Sequence, residues 1–201
     1  MTFRLLTFCF CFICITAQAQ QLGGPCEGCE AISEFGNEVL QSTDTLPDYE
    51  NSEPKLLIHG TVYQSDGKTP ASGVIIYAYH TNREGIYPKR GDEKGWGKRH
   101  GYIRGWVKTG HDGQYAFYTF QPASYPNREA PAHIHLTVQE PGKTAYWIDD
   151  ILFDDDPFVT QNIRREMRNR AGNGILELEK RDQFLVGNRD IILGLNIPNY
   201  R

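Results

Sequence analysis

The sequence predicts a mainly β protein, a β-sandwich of mostly antiparallel strands with one short helix in the C-terminal half. Three observations carry that expectation. Short runs rich in β-branched and aromatic residues succeed one another from Lys55 onward, turn residues such as "SDGKTP" and "GHDG" separate them, and one stretch after Asp156 carries helix signals. A chain of 201 residues is long enough to bury one good core and too short for two, so a single sandwich domain over residues 55–201 is expected.

In chain order, "MTFRLLTFCFCFICITAQAQ" puts Arg4 ahead of an apolar run from Leu5 to Ile15 and ends on Ala17-Gln18-Ala19, the small-x-small pattern of a signal-peptidase site. Residues 1–19 are therefore read as a signal peptide, and the protein as exported, periplasmic or secreted. The apolar run is too short to cross a bilayer, no later segment approaches that length, and no membrane association is expected of the mature form. Cys9, Cys11 and Cys14 leave with the signal. Cys26 and Cys29 remain in "CEGC", which in an oxidising compartment most simply forms a local disulfide. Half a zinc site is the alternative. The segment 20–54 around this CxxC reads as a polar, structure-poor N-terminal arm.

Six strands are expected next: Lys55 to Gln64, Gly73 to His80, Ile103 to Thr109, Gln114 to Phe120, Ala132 to Gln139 and Tyr146 to Phe153. Asp112-Gly113 is read as the tight turn of a hairpin. In "DDDPFVTQNIRREMRNRAGNG" Asp156 is expected as N-cap and Pro157 as first helical residue, with Phe158, Ile163 and Met167 on one side and Gly172 past the end. "ILELEKR" and "DIILGLN" are read as strands returning to the sheet.

The formal net charge is −4, and loss of Arg4 makes it more negative, so neither nucleic acid nor an anionic membrane is an indicated partner. A homo-oligomer is left open. Basic residues gather in "YPKRGDEKGWGKRH", read as a solvated loop or as a substrate rim. Two histidines one residue apart in "PAHIH" would share one face of a strand, so His133 and His135 could grip one ion. A cupin site fails the rest of its pattern, and Glu140, ahead of Pro141-Gly142, is read as a turn residue. His59, His80, His100 and His111 are read as strand or turn residues, with His100 placed to face a pocket mouth.

When the reading is widened to "EGIYPKRG", "IRGWVKTGHDGQYAFYTFQPASYPNREAPAHIHLTV" and "ILFDDDP", the chain resembles the intradiol ring-cleavage dioxygenases, the catechol and protocatechuate dioxygenase family. The order and spacing of these pieces carry the resemblance, over Leu56 to Pro157. It implies a non-haem Fe(III) held by Tyr87, Tyr125, His133 and His135. It further implies an enzyme that cleaves a catechol-type aromatic diol between its hydroxyl-bearing carbons with O₂, giving a muconate-type diacid that contains both oxygen atoms, with Tyr125 as a displaceable ligand and base. The ligand chemistry is coherent, because a phenol with an ordinary pKa near 10 ionises at neutral pH when a hard cation stabilises its anion.

Two positions depart from the family pattern. Ala130 stands where the family has an arginine three residues before the first histidine, and Arg128 is the substitute expected to stabilise charge on the substrate. Asp150 stands where protocatechuate enzymes carry glutamine, and its neighbours Asp149, Asp154, Asp155 and Asp156 are read as a solvated rim and helix cap. Two other functions compete: a non-catalytic binding protein sharing the fold, and a zinc hydrolase using His133, His135 and an acidic third ligand.

Overall fold

Alternating burial along the strands sets the architecture. The computed structural model describes residues 21–126 and 130–201 of the chain, so Arg128 and the signal-like segment lie outside the described residues. Its strands begin with β1 (Thr43–Thr45), β2 (Lys55–Tyr63), β3 (Ile75–His80), β4 (Arg104–Lys108), β5 (Gln114–Phe120) and β6 (His133–Gln139). They continue with β7 (Tyr146–Trp147), β8 (Ile151–Phe153), β9 (Ile175–Leu176), β10 (Glu179–Arg181), β11 (Phe184–Asn188) and β12 (Ile191–Ile192). The helices are α1 (Gly97–His100) and α2 (Gln161–Glu166).

Two sheets pack face to face. The first has the order β1-β5-β2-β11-β10, with β12 also on β2; the second has the order β4-β3-β6-β8-β9, with β7 also on β6. Along β2 the residues Leu56, Ile58 and Val62 point inward, and along β6 the residues Ile134, Leu136 and Val138 meet them. Ile76, Val107, Phe117 and Phe120 complete this core. Each such aliphatic or aromatic side chain contributes about 1.5–3 kcal/mol by leaving water.

Several expectations need correction. Asp112-Gly113 does not close a hairpin: β4 pairs with β3 in the second sheet, whereas β5 pairs with β2 in the first. The Thr109–Gly113 connection is long enough to arch across the roughly 10 Å between packed sheets, and inward Val107 and Tyr115 pull the strands apart. Asp156 does not cap the helix. Thr160 does, its Oγ1 accepting from Ile163 N at 3.4 Å, while Asp156 accepts from Phe158 N at 2.8 Å and from Ala132 N at 2.7 Å. The run from Tyr146 to Phe153 is broken after Trp147. Asp149 is buried rather than part of a solvated rim.

The arm is not structure-poor. It supplies β1, parallel to β5, and a 3-10 turn at Cys29–Ser33 whose Ala31 and Ile32 bury against Tyr77 on the outer face of the second sheet. Cys26 and Cys29 form the expected disulfide. Nothing local announces strand β11, because Phe184-Leu185-Val186 lacks alternation; it pairs in parallel with β2, with Phe184 and Leu185 half-buried and Val186 buried. Glu140 does sit at a turn, and it also accepts hydrogen bonds from Tyr146 (2.8 Å) and Tyr200 (2.9 Å).

Candidate metal centre

Period two on β6 sends His133 and His135 to the outer face of the second sheet, opposite the core. Their Nε2 atoms lie 3.1 Å apart. Two loops bring the tyrosines to them. After β3, Asn82 Oδ1 accepts from Glu84 N (3.1 Å) and Ile86 N (2.9 Å), folding "NREGIY" into a turn that presents Tyr87. Thr81 Oγ1 donates to Ala123 O (2.7 Å) and Ala123 N donates to Asn82 O (3.2 Å), which staples this turn to the segment carrying Tyr125. Gly85, at φ 73°, makes the approach possible, because a Cβ there would lie 1.9 Å from Ser124 O.

The four expected ligand atoms form a closed ring. Tyr87 and Tyr125 hydroxyls are in short contact, Tyr87 Oη is 2.8 Å from His135 Nε2, and Tyr125 Oη is 3.1 Å from His133 Nε2. The other ring nitrogens are committed elsewhere: His133 Nδ1 donates to Pro131 O (2.8 Å) and His135 Nδ1 to Asp150 Oδ1 (3.0 Å). Those partners assign both Nε2 atoms as unprotonated. The ring thus has four contacts and only the two phenol protons to fill them. Any placement leaves two contacts with lone pair facing lone pair, and a cation at the centre in place of both protons satisfies all four. This donor set, two oxygens and two nitrogens at close mutual spacing, fits a hard-to-borderline metal ion.

Electrostatics agree. Burial, reinforced by the Tyr125 hydroxyl, pushes the Tyr87 phenol above its ordinary value of 10.0, so it ionises only when a cation takes the proton's place. Burial, then the neighbouring His135, holds His133 below 6.5 and keeps it a neutral ligand. Burial disfavours an ionised Asp150, but the adjacent His135 imidazole, which donates to it, more than offsets this, so its carboxyl lies below the ordinary 3.8. His133, His135 and Asp150 also offer atoms within 4.8 Å of one another, the trio a zinc hydrolase would need. Asp150, however, bonds the Nδ1 side of His135, across the ring from the tyrosines, where it orients a ligand.

A cavity of about 390 Å³ opens over the ring and is lined by Tyr87, Tyr125, His135, Tyr79, Trp96 and His100, among others. The basic stretch is at this mouth and contains α1. His100 faces the cavity as expected, with Nδ1 2.9 Å from Tyr77 Oη. Nothing local in the sequence marks Tyr79 as more than a packing residue or Asp150 as the partner of a ligand. Tyr79 stacks on His135 at 4.5 Å, and only the β3–β6 register, which sets Tyr79 opposite His135, could have revealed it.

With the geometry in place, comparison with known proteins is direct. A family model described as Dioxygenase matches residues 32–185. The chain belongs to the intradiol ring-cleavage dioxygenase family. It is similar to catechol 1,2-dioxygenase 1 of Acinetobacter lwoffii, 34% identical over an alignment 144 residues long that covers 61% of this chain and 45% of that protein. It also resembles catechol 1,2-dioxygenase of Candida albicans, 24% identical over 162 residues, 73% of this chain and 52% of that one. The chain therefore spans about half the length of the curated relatives it matches.

Among solved structures, the dioxygenase domain of a dioxygenase carbohydrate-binding protein fusion from Streptomyces sp. SirexAA-E superposes with TM-score 0.56 at 21% identity, covering 79% of this chain and 91% of that one. Catechol 1,2-dioxygenase from Pseudomonas arvilla C-1 gives TM-score 0.58 at 18% identity, covering 86% and 60%. These two show a shared fold.

Proposed function

We propose that the protein is an exported non-haem Fe(III) dioxygenase that cleaves a catechol-type aromatic diol with O₂ to a muconate-type diacid. The carrying observation is the proton-deficient ring of Tyr87, Tyr125, His133 and His135, which a trivalent cation completes while displacing two phenol protons. Bound ferric iron would supply Lewis acidity and activate the diol toward O₂. The chain's own contribution is to hold four ligand atoms, to fix both imidazole tautomers, and to shelter the diol under Tyr79 and Trp96. Tyr125, on an irregular segment rather than a strand, is assigned as the displaceable ligand that takes a substrate proton. Arg128, between Tyr125 and His133 in sequence, is assigned to stabilise charge on the bound substrate. The Cys26–Cys29 disulfide supports export to an oxidising compartment.

The test is metal content and visible absorption of iron-supplied protein. About one iron per chain is expected, with a tyrosinate-to-ferric charge-transfer band that shifts when catechol is added, and with oxygen uptake. Tyr87→Phe combined with Tyr125→Phe should abolish band and uptake. A double variant retaining the unaltered spectrum and iron content would refute the assignment, and colourless zinc-loaded protein would favour the hydrolase.

A further inference from the structure

The imidazole of His135 needs more than one hydrogen bond to be aimed. Asp150 fixes one edge of the ring through Nδ1, and a ring held only at its edge can still pivot about that bond. The face contact with Tyr79 removes the pivot, with ring centres 4.5 Å apart. Tyr79 is backed in turn by His100, at 3.8 Å and 8° from parallel, and Trp96 stacks on His100 at 5.3 Å. A column of rings therefore ends on an expected metal ligand.

What holds that column lies in the N-terminal arm. His100 closes α1, a helix of only four residues, and a single turn of helix has almost no stability of its own. Glu34 of the arm accepts from Trp96 N at 2.8 Å, at the start of that turn. Gly28, at φ 88°, lies against His100 so closely that a Cβ there would sit 2.8 Å from Cε1 and Nε2 of the imidazole. Gly28 belongs to the loop that the Cys26–Cys29 disulfide closes. The loop is anchored from outside, because Trp147 Nε1 donates to Pro25 O at 3.1 Å and the Arg170 guanidinium lies 3.5 Å from the centre of that indole. It also reaches the ligand itself: Cys26 and Gly28 share with Tyr79, His135 and Asp150 the walls of a cavity of about 270 Å³.

We propose that the disulfide-closed loop from Pro25 to Gly28 is a positioning clamp for His135, acting through His100 and Tyr79, and that tight metal retention requires the disulfide to be closed. This rests on the reading of the tyrosine–histidine ring as a metal centre. The disulfide leaves Gly28 no room to retreat, so His100 stays pressed on Tyr79 and Tyr79 on His135. With the loop open, the one-turn helix follows it outward and Tyr79 gains rotamer freedom. His135 then keeps its bond to Asp150 and loses its face contact. Ligand atoms aimed before the ion arrives spare it the cost of ordering them.

Long-range proton–nitrogen NMR of the metal-free protein reads the His135 ring directly. Stacking on Tyr79 should displace its carbon-bound protons upfield. Cys26→Ser combined with Cys29→Ser should return them toward the position of an unstacked histidine. Opening the loop with a dithiol should do the same, as the Sγ–Sγ bond breaks, the two sulfurs take up two electrons and two protons, and the dithiol cyclises to its own disulfide. Gly28→Val, which keeps the disulfide and drives His100 away, is the second route to the same change. Tyr79→Leu should lose the displacement and Tyr79→Phe should retain it. In iron-supplied protein, the clamp-free variants should hold ferric iron against a chelator about tenfold less tightly, as for other groups that orient a metal ligand. Folded variants whose thermal midpoint falls while the His135 signals stay in place overturn the proposal. So does a double serine variant with unaltered signals and iron affinity. Unaltered protein that shows the displaced ring yet takes up no iron would sink the metal-centre reading and leave the positioning of His135 standing.

Discussion

The two faces of the second sheet are made by the same strands and obey different physics. Inward, Ile134, Leu136 and Val138 of β6 and Ile76 and Ala78 of β3 pack against the first sheet, an interaction that is non-directional and scales with area. Outward, the alternate residues of those strands are His133, His135, Tyr77 and Tyr79, and each is held by partners of defined geometry. Tyr79 lies between two imidazoles, 3.8 Å from the His100 ring centre and nearly parallel to it at 8°, and 4.5 Å from that of His135 at 24°. The outer face is then roofed by the Cys29–Ser33 turn and α1, with Trp106 Nε1 donating to Ala31 O at 3.0 Å. The apolar face fixes where the strand sits, and the polar face uses that rigidity to aim ligand atoms.

If the faces are so divided, damage to one should be separable from damage to the other. Leu136→Ala leaves a hole in the inner face and should cost about 2–5 kcal/mol of stability. The thermal midpoint should fall accordingly while the still-folded protein keeps its full metal content. Loss of metal from folded Leu136→Ala protein would show that the faces are coupled.

His80 sharpens the comparison because it is a polar residue on the inner face. It is fully buried, with Nδ1 donating to Thr81 O (2.7 Å) and Nε2 accepting from Thr119 Oγ1 (2.6 Å). Burial depresses its pKa from 6.5 to about 4. Below pH 6.5 the unfolded chain therefore binds a proton that the native chain refuses. Stability is complete above that pH and should decline by roughly 3 kcal/mol as pH falls toward 4. Denaturant titrations across this window should show the decline, and His80→Gln should flatten most of it.

The smallest effect belongs to the outer face. Asp150→Ala frees the His135 ring without removing a ligand, so metal affinity should drop by about 10–100-fold with little change in midpoint for the metal-free protein. Competition with a chelator measures it. An unchanged affinity would mean that Asp150 does not orient His135.

Much of the architecture was legible locally. The runs rich in β-branched and aromatic residues over Lys55–Tyr63 and His133–Gln139, bounded by turn residues, announced strands, and His-x-His announced two rings on one face. Tyr87 and Tyr125, 38 residues apart, were reachable only through resemblance to a family, since neither lies in a pattern that marks a ligand. Resemblance places Asp150 where protocatechuate enzymes carry glutamine, and nothing local marks it as a partner of His135 among five closely spaced aspartates, of which Asp149, Asp154, Asp155 and Asp156 read as a solvated rim and helix cap. Burial of Asp149, the bond from Asp150 to His135 and the tether from Asp156 to Ala132 gave three of them distinct tasks.

By itself the sequence determined the fold class, the places of most of its strands and the histidine pair, because these depend on local composition, side-chain period and neighbours a few residues away. Tertiary structure decided the rest. Which sheet β5 joins, what roofs the outer face, that β11 runs parallel beside β2, and that Glu27 meets Arg99 across 72 residues all depend on contacts between distant segments. Such contacts are selected by packing and by closing the hydrogen bonds of the whole chain together, and no short window of residues contains them.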